Sequence, residues 1–203
     1  MKEFWNSRYQ EKEYAYGLEP NLFFKSELIK LIPGKALFPA EGEGRNAVFA
    51  AKSGWEVTAF DISEAGRNKA IQWAEKNQVH LDYQVASLEE FNTEADSFDL
   101  LVLIFAHFPP SVRKIYHQKL ASFLKPGGVL ILEAFSKKHS EFNSVNDKSG
   151  GPKDPAMLFS KEELLKDFEG FSIRILEESV VELEEGLYHV GKSSVIRMVA
   201  VKN

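Results

Sequence analysis

Two spacings of apolar residues alternate along the chain. Runs that are apolar almost throughout occur at 36–39, 98–104 and 129–132, with shorter or more mixed ones at 55–60 and 81–85. Between them, apolar residues recur every three or four positions, the spacing of a helix with one buried face. The runs 100–104 and 129–132 carry no polar break, as expected of strands covered on both faces. The punctuation agrees. Asn21 suits the start of a helix over 21–32, stopped by Pro33 and Gly34. Gly54 suits the end of a helix over 45–53, and Ser63 the start of one over 63–77, with Ala70, Ile71 and Ala74 turned inward. A further helix over 111–124 carries Val112, Ile115, Tyr116, Leu120 and Phe123, and Lys125-Pro126-Gly127-Gly128 ends it. On that helix His117, beside Lys119, reads as a surface residue.

After 135 the alternation breaks. Ser160 and Glu163 have capping-box spacing for a short helix to 168. Two β-type stretches follow, 171–176 with 180–181 and 195–201, and 184–191 reads as turn and loop between them. The expected fold is α/β: a Rossmann-like, doubly wound, mostly parallel seven-stranded sheet with helices on both faces and a C-terminal antiparallel pair. One domain is expected over 1–203. It divides into an N-terminal aromatic segment (1–33), a core (34–135), a polar loop rich in Gly and Pro that is expected to be mobile (136–158), and a terminal helix and strand pair (159–203).

Composition narrows the classes. With 203 residues, 44% hydrophobic and 27% charged, the chain can bury a sizeable core. A net charge of -5 argues against a nucleic-acid surface. With no cysteine there is no disulfide, thiol nucleophile or thiolate-held metal, and no metal site is expected. No apolar run reaches the roughly 18–20 residues of a membrane span, and the first residues lack a secretory core. A cytoplasmic monomer or homodimer without a membrane or nucleic-acid partner is expected.

The candidate chemistry lies in the turn after the first strand. Gly42, Gly44 and Ala47 fit G-x-G-x-x-A, and Asp61 ends the next strand, the minimal arrangement for an adenosine-bearing cofactor. The turn itself leaves open a nicotinamide or S-adenosylmethionine. Three features favour the latter. Phe4, Trp5, Arg8, Tyr9, Tyr14 and Tyr16 precede the first strand as a possible lid. The Lys-Pro-Gly-Gly turn leads to the terminal strand pair. No second set of strand–helix units is present to hold a nicotinamide.

With Trp5 to Tyr9, Tyr16 to Asn21, Glu41 to Asn46, Gly54 to Ser63, Phe98 to His107 and Leu124 to Gly128 in that order, the chain resembles the class I S-adenosylmethionine-dependent methyltransferases over nearly its whole length. Within them it is similar to the small bacterial tellurite-resistance and thiopurine methyltransferases. The resemblance implies roles. Gly42 and Gly44 would let the backbone approach the amino-acid end of the cofactor, and free N–H groups of the helix starting at Arg45 would meet its carboxylate. Asp61 would accept from the ribose hydroxyls, Ile62 and Leu88 would sandwich the adenine, Ser87 would meet its polar edge, and Ile104 and Phe105 would line the methionine arm. Apart from the resemblance, Arg8 beside the aromatic lid is a candidate partner for the cofactor's carboxylate, and Tyr16 a candidate cofactor contact. Two departures stand out: Phe38 replaces the usual acid and Ala40 the first glycine, so Glu41 becomes the nearest acid to the cofactor's ammonium. Ala40 is expected to substitute for glycine because the position keeps a negative φ.

The expected activity is in-line transfer of a methyl group to a small-molecule acceptor, giving S-adenosylhomocysteine. His107 is the candidate base, and Trp5, Tyr188 and His189 the candidate substrate contacts, with 136–158 covering the substrate. A non-catalytic S-adenosylmethionine-binding sensor and an NAD-dependent oxidoreductase are the alternatives. Glu43 reads equally as a ligand or a solvated acid, and Glu182, Glu184 and Glu185 as a solvated edge.

Overall fold

A computed structural model describes residues 1–203. Seven strands form one sheet: β1 (Lys35–Pro39), β2 (Glu56–Asp61), β3 (Asp82–Val85), β4 (Phe98–Ile104), β5 (Leu124–Phe135), β6 (Phe171–Glu185) and β7 (His189–Lys202). Their spatial order is β3-β2-β1-β4-β5-β7-β6. The first five run parallel, while β7 is antiparallel to both β5 and β6. The helices are α1 (Lys2–Tyr9), α2 (Leu22–Leu28), α3 (Arg45–Lys52), α4 (Glu64–Lys76), α5 (Pro110–Phe123), α6 (Ser140–Asn143) and α7 (Lys161–Asp167). None is long and apolar enough to cross a membrane.

The two-residue period of the strands sorts the core into two layers. Leu37, Leu101, Leu103, Leu130 and Leu132 face one way, against Leu120 and Phe123 of α5 and Leu164 of α7. Ala36, Phe38, Leu100, Val102 and Ile131 face the other, against Phe24 of α2, Val48 of α3 and Ala70 of α4. Both faces are therefore buried, which is why these strands read as unbroken apolar runs. Each fully buried Leu or Phe contributes about 1.5–3 kcal/mol. The caps act as the sequence suggests. The side chains of Asn21 and Ser63 accept from the N–H of Phe24 and Gly66, and Ser160 with Glu163 completes a capping box.

Several elements differ from the sequence expectation. Helix α2 stops at Leu28, leaving Ile29 and Ile32 exposed. The Lys-Pro-Gly-Gly turn is a bulge inside β5: Leu124 already pairs with Phe98, Val129 resumes with Leu100, and Gly127 takes φ 79°. The terminal hairpin is much longer than expected. Its ladder holds Glu184 against Val190 and Glu185 against His189, so the connection shrinks to three residues. On α5 the buried face carries Arg113, His117, Leu120 and Phe123, whereas Ile115 is exposed. His117 is no surface residue. It is fully buried, its Nδ1 lies 2.9 Å from Asp167, and it stacks on Phe168. A histidine's apolar body fits an aromatic layer once a carboxylate takes one nitrogen.

The segment 136–158 is not an irregular loop. It holds α6 and three short 3-10 turns. Its ends meet, since Lys137 N donates to Phe159 O and Phe159 N to Phe135 O. His139, fully buried, receives the N–H of Ser194 and ties the segment to β7.

Candidate functional site

Strand β1 has β2 on one side and β4 on the other, reached by crossovers in opposite directions. A ligand crevice opens at such a point, beyond the carboxyl ends of the strands. Ala40 follows β1 and Phe105 follows β4, and both lie in left-handed backbone, at φ 52° and 53°. Non-glycine residues there cost on the order of 1–3 kcal/mol each and persist where surroundings force them. The expected negative φ at Ala40 is thus incorrect. The position needs glycine's conformation and takes it with the smallest side chain, exposed to solvent.

The turn between them is satisfied internally. Glu41 Oε1 accepts from the N–H groups of Asn46 (2.9 Å) and Ala47 (2.7 Å). Two of the first N–H groups of α3 are therefore taken by this carboxylate, where free ones were expected. Burial pushes Glu41 up to about 7, against the opposing pull of those bonds and of Arg45. Asp61 is buried and accepts from Gly42 N (3.1 Å) and Ser63 N (2.8 Å); burial raises it to about 6. The glycines also serve the fold. A Cβ at Gly42 would fall 2.5 Å from the Tyr9 hydroxyl, and one at Gly44 would fall 2.6 Å from Ala70 Cβ. Both positions are set by packing of α1 and α4, with positive φ at each. Glu43 is not solvated: it is buried and accepts from Ala15 N (2.7 Å) and Lys69 Nζ (2.8 Å), strapping the N-terminal segment down.

That segment roofs the crevice. Trp5 stacks on Tyr9 at 5.4 Å. The Arg8 guanidinium lies 3.9 Å from the Tyr188 ring centroid and 4.8 Å from that of Phe4, and it donates to the Tyr16 hydroxyl at 3.3 Å. Tyr16 packs on His189 at 4.4 Å, and His189 packs edge-on against Phe105 at 4.5 Å. A chain of contacts thus joins Arg8, Tyr16, Tyr188, His189 and Phe105, five of the residues singled out from the sequence. Beneath them runs a buried polar network. Glu185 accepts from Arg45 (2.8 Å), His189 Nδ1 (3.1 Å) and Asn21 (2.9 Å). Asn21 also donates to Glu133 (2.6 Å), which pairs with Arg197 at 2.6 Å. Burial alone would raise Glu185, but Arg45 and His189 hold it at about 2. Glu185 is therefore no solvated edge acid, while Glu182 and Glu184 are exposed.

Arg45 and Glu133 were given no role from the sequence, and Glu185 was read there only as a solvated edge acid. A signal existed for Glu133, the one charge inside the apolar run 129–135. None existed for Arg45 and Glu185, which depend on the hairpin returning over α3.

The remaining expected contacts divide. Ile62 and Ser87 are half-buried at the carboxyl ends of β2 and β3, and Ser87 turns back on Glu90. Leu88 packs into the core with Phe60 and Phe91, and Ile104 against the α2–α4 layer. His107 is held at both nitrogens, Nδ1 by Met157 O (2.8 Å) and Nε2 by Phe135 N (3.1 Å). Burial lowers it to about 4. With its lone pair engaged by a backbone N–H, it has no free site for a substrate proton. Its geometry is that of a structural pin.

Comparison with known proteins agrees with this crevice. The methyltransferase-domain family matches residues 39–128, from the end of β1 to the start of β5. A probable thiol methyltransferase of Arabidopsis thaliana is 29% identical over 164 residues, covering 78% of this chain and 69% of the relative. A thiopurine S-methyltransferase of Vibrio atlanticus is 23% identical over 205 residues, with 90% and 88% covered. Residues 39–128 thus carry a methyltransferase domain, and the chain is similar beyond it to S-adenosylmethionine-dependent methyltransferases. In fold it is similar to TehB from Haemophilus influenzae, with a TM-score of 0.71 at 15% identity over 100% of this chain and 67% of that one.

S-adenosylmethionine is accordingly the cofactor of this methyltransferase, and the residues present fit it. Exposed Ala40 and half-buried Ile62, Ser87 and Phe105 line up across the ends of β1 to β4. Between them the buried Asp61 carboxylate, engaged by two backbone N–H groups, keeps lone pairs for further donors.

Proposed function

We propose that this methyltransferase acts on a small-molecule acceptor, with sulfur the favoured nucleophile. The observation that carries the reading is the aromatic enclosure at the end of β4. Tyr188 contacts Tyr16, Tyr16 contacts His189 and His189 contacts Phe105, and Arg8 of α1 lies over the Tyr188 ring. Such a box suits a compact, flat molecule and gives no surface to a macromolecule. Thiol and thiopurine methylation by the relatives supports sulfur.

In this reading Ala40, Gly42 and Gly44 shape the turn under the cofactor, with Glu41 toward its ammonium and Asp61 toward its ribose. Ile62, Ser87 and Leu88 form the adenine side, and Ile104 and Phe105 the side of the reacting carbon. Arg8 and Tyr16 close the roof, and Trp5 stands at the entrance. The cofactor supplies an activated methyl group, so the chain's task is to align the acceptor and exclude water. The stacked rings do both. The structural role of Leu88 and the internal bonds of Glu41 make Asp61 and Ala40 the first contacts to test.

Calorimetry with S-adenosylhomocysteine and NADH, followed by assay of S-adenosylhomocysteine formation with thiols, phenols and amines, tests the proposal. Binding of the first ligand alone, with turnover strongest on thiols, is expected. Binding without turnover of any acceptor would favour a sensor.

A further inference from the structure

His189 lies in the aromatic box, and its surroundings prepare it for more than packing. Its Nδ1 faces Glu185 at 3.1 Å. That carboxylate is fixed from two more sides, by Arg45 at 2.8 Å and Asn21 at 2.9 Å. An ionised carboxylate at Nδ1 holds the ring proton there and leaves the Nε2 lone pair outward, in the arrangement of an oriented base. No protein group donates to Nε2. Its edge of the ring faces Gly150, where a Cβ would fall 3.1 Å from Nε2 and 2.4 Å from Cδ2. Gly150 and Gly151 both take φ 78°. Only glycine fits against this edge, so the turn covers Nε2 and an acceptor reaches it when that turn moves aside. The other flank of the ring is Phe105, at the strained end of β4.

We propose that His189, positioned by Glu185, is the proton acceptor for an aromatic thiol or phenol that arrives protonated. This rests on the methyl-transfer reading above. The acceptor's S–H or O–H proton passes to His189 Nε2. A bond forms between that sulfur or oxygen and the methyl carbon, as the bond from methyl carbon to the cofactor's sulfur breaks with its electron pair left on that sulfur. The products are the methylated acceptor, S-adenosylhomocysteine and an imidazolium that returns its proton to water.

The groups facing the ring set its protonation. Burial lowers His189, and Glu185 opposes this, while Arg45 from α3 and His139 from 136–158 add to the lowering. Arg8 acts at one remove, through the Tyr16 hydroxyl. The ring is therefore neutral at pH 7, ready to take a proton.

The test uses the full chain, its His189→Gln variant and two acceptors: phenol, protonated throughout pH 6–9, and pentafluorobenzenethiol, a thiolate throughout. The variant is expected to lose about 100-fold or more in kcat with phenol, the range of general-base catalysis. Its loss with the thiolate should be at least tenfold smaller than with phenol, and it should bind S-adenosylhomocysteine as the parent does. Nitrogen NMR of the parent at pH 7 is expected to show neutral His189 with its proton on Nδ1, a readout independent of turnover and of the variant's folding. Equal losses on the two acceptors, no loss on either, or a parent that methylates only the thiolate would overturn the assignment. So would an Nε2–H tautomer or an imidazolium at pH 7. If the parent binds S-adenosylhomocysteine yet methylates nothing, the methyl-transfer reading itself falls and takes this inference with it.

Discussion

Glu41 offers a test of the electrostatics of the turn. Its carboxyl is raised from an ordinary 4.5 to about 7, burial being the main cause. A raised acid favours the folded chain when protonated, so this contribution is fully present at low pH and fades as pH climbs from about 4.5 to about 7. Each pH unit over which the folded chain keeps a proton that the unfolded chain has released costs about 1.4 kcal/mol. Between pH 5 and pH 8 the loss is about 2.5 kcal/mol. Glu41→Gln keeps an oxygen to accept from Asn46 and Ala47 but never ionises. It should match the parent within about 1 kcal/mol at pH 5 and exceed it by about 2–3 kcal/mol at pH 8. At about 2–4 °C per kcal/mol for a chain of this size, that is a Tm higher by about 5–10 °C at pH 8. Thermal melts of both proteins at the two pH values measure it, and the difference cancels every other titrating group. A variant less stable than the parent at pH 8 would refute the reasoning. It would mean that the charge gains more from the α3 N-terminus than burial costs it.

Three further outcomes follow from other contacts. Ala40→Gly should stabilise the chain by about 1 kcal/mol in urea titration, because it relieves a left-handed φ at an exposed position with no packing to lose; a destabilised variant would contradict the strain. Arg197→Met leaves buried Glu133 with Asn21 alone and should cost about 3–5 kcal/mol at pH 7, so a loss under 1 kcal/mol would show the pair to be dispensable. His107→Ala removes two buried hydrogen bonds and should cost about 2–4 kcal/mol, with kcat of the folded variant kept within about threefold; a large fall in kcat alone would restore His107 as a base.

The parts of this structure that obey local rules were readable from the chain. The apolar strands, the Asn21, Ser63 and Ser160 caps and the acid after β2 all announce themselves within a few residues. What failed did so for want of partners distant in sequence. His117 looked exposed because Lys119 is its neighbour, yet Asp167 and Phe168, about fifty residues on, make it a core residue. Glu185 looked solvated among acids until Arg45, 140 residues earlier, met it. Glycines 42 and 44 match a ligand motif, but the atoms that forbid a side chain there belong to Tyr9 and Ala70. His107 followed a strand into the presumed site, and only the return of Met157 showed that its ring was already engaged.

The bond from Asn21 to Glu185 spans 164 positions of the chain. Beside it, Leu187 N reaches Ala15 O at 2.8 Å, and Gly186 stacks so closely on Gly17 that a Cβ would fall 2.4 Å from its nitrogen. The roof of the site is therefore built by the first twenty residues closing on the last twenty. The parallel strands β1 to β5 all precede the hairpin in the chain, so during synthesis they have their neighbours in hand before the hairpin that completes the roof is made. Contacts of such long separation form late. A nascent chain stalled before Gly186 would thus carry a formed cofactor turn beneath an unlatched N-terminus. Assembly of the acceptor side thus follows that of the parallel strands and depends on the hairpin.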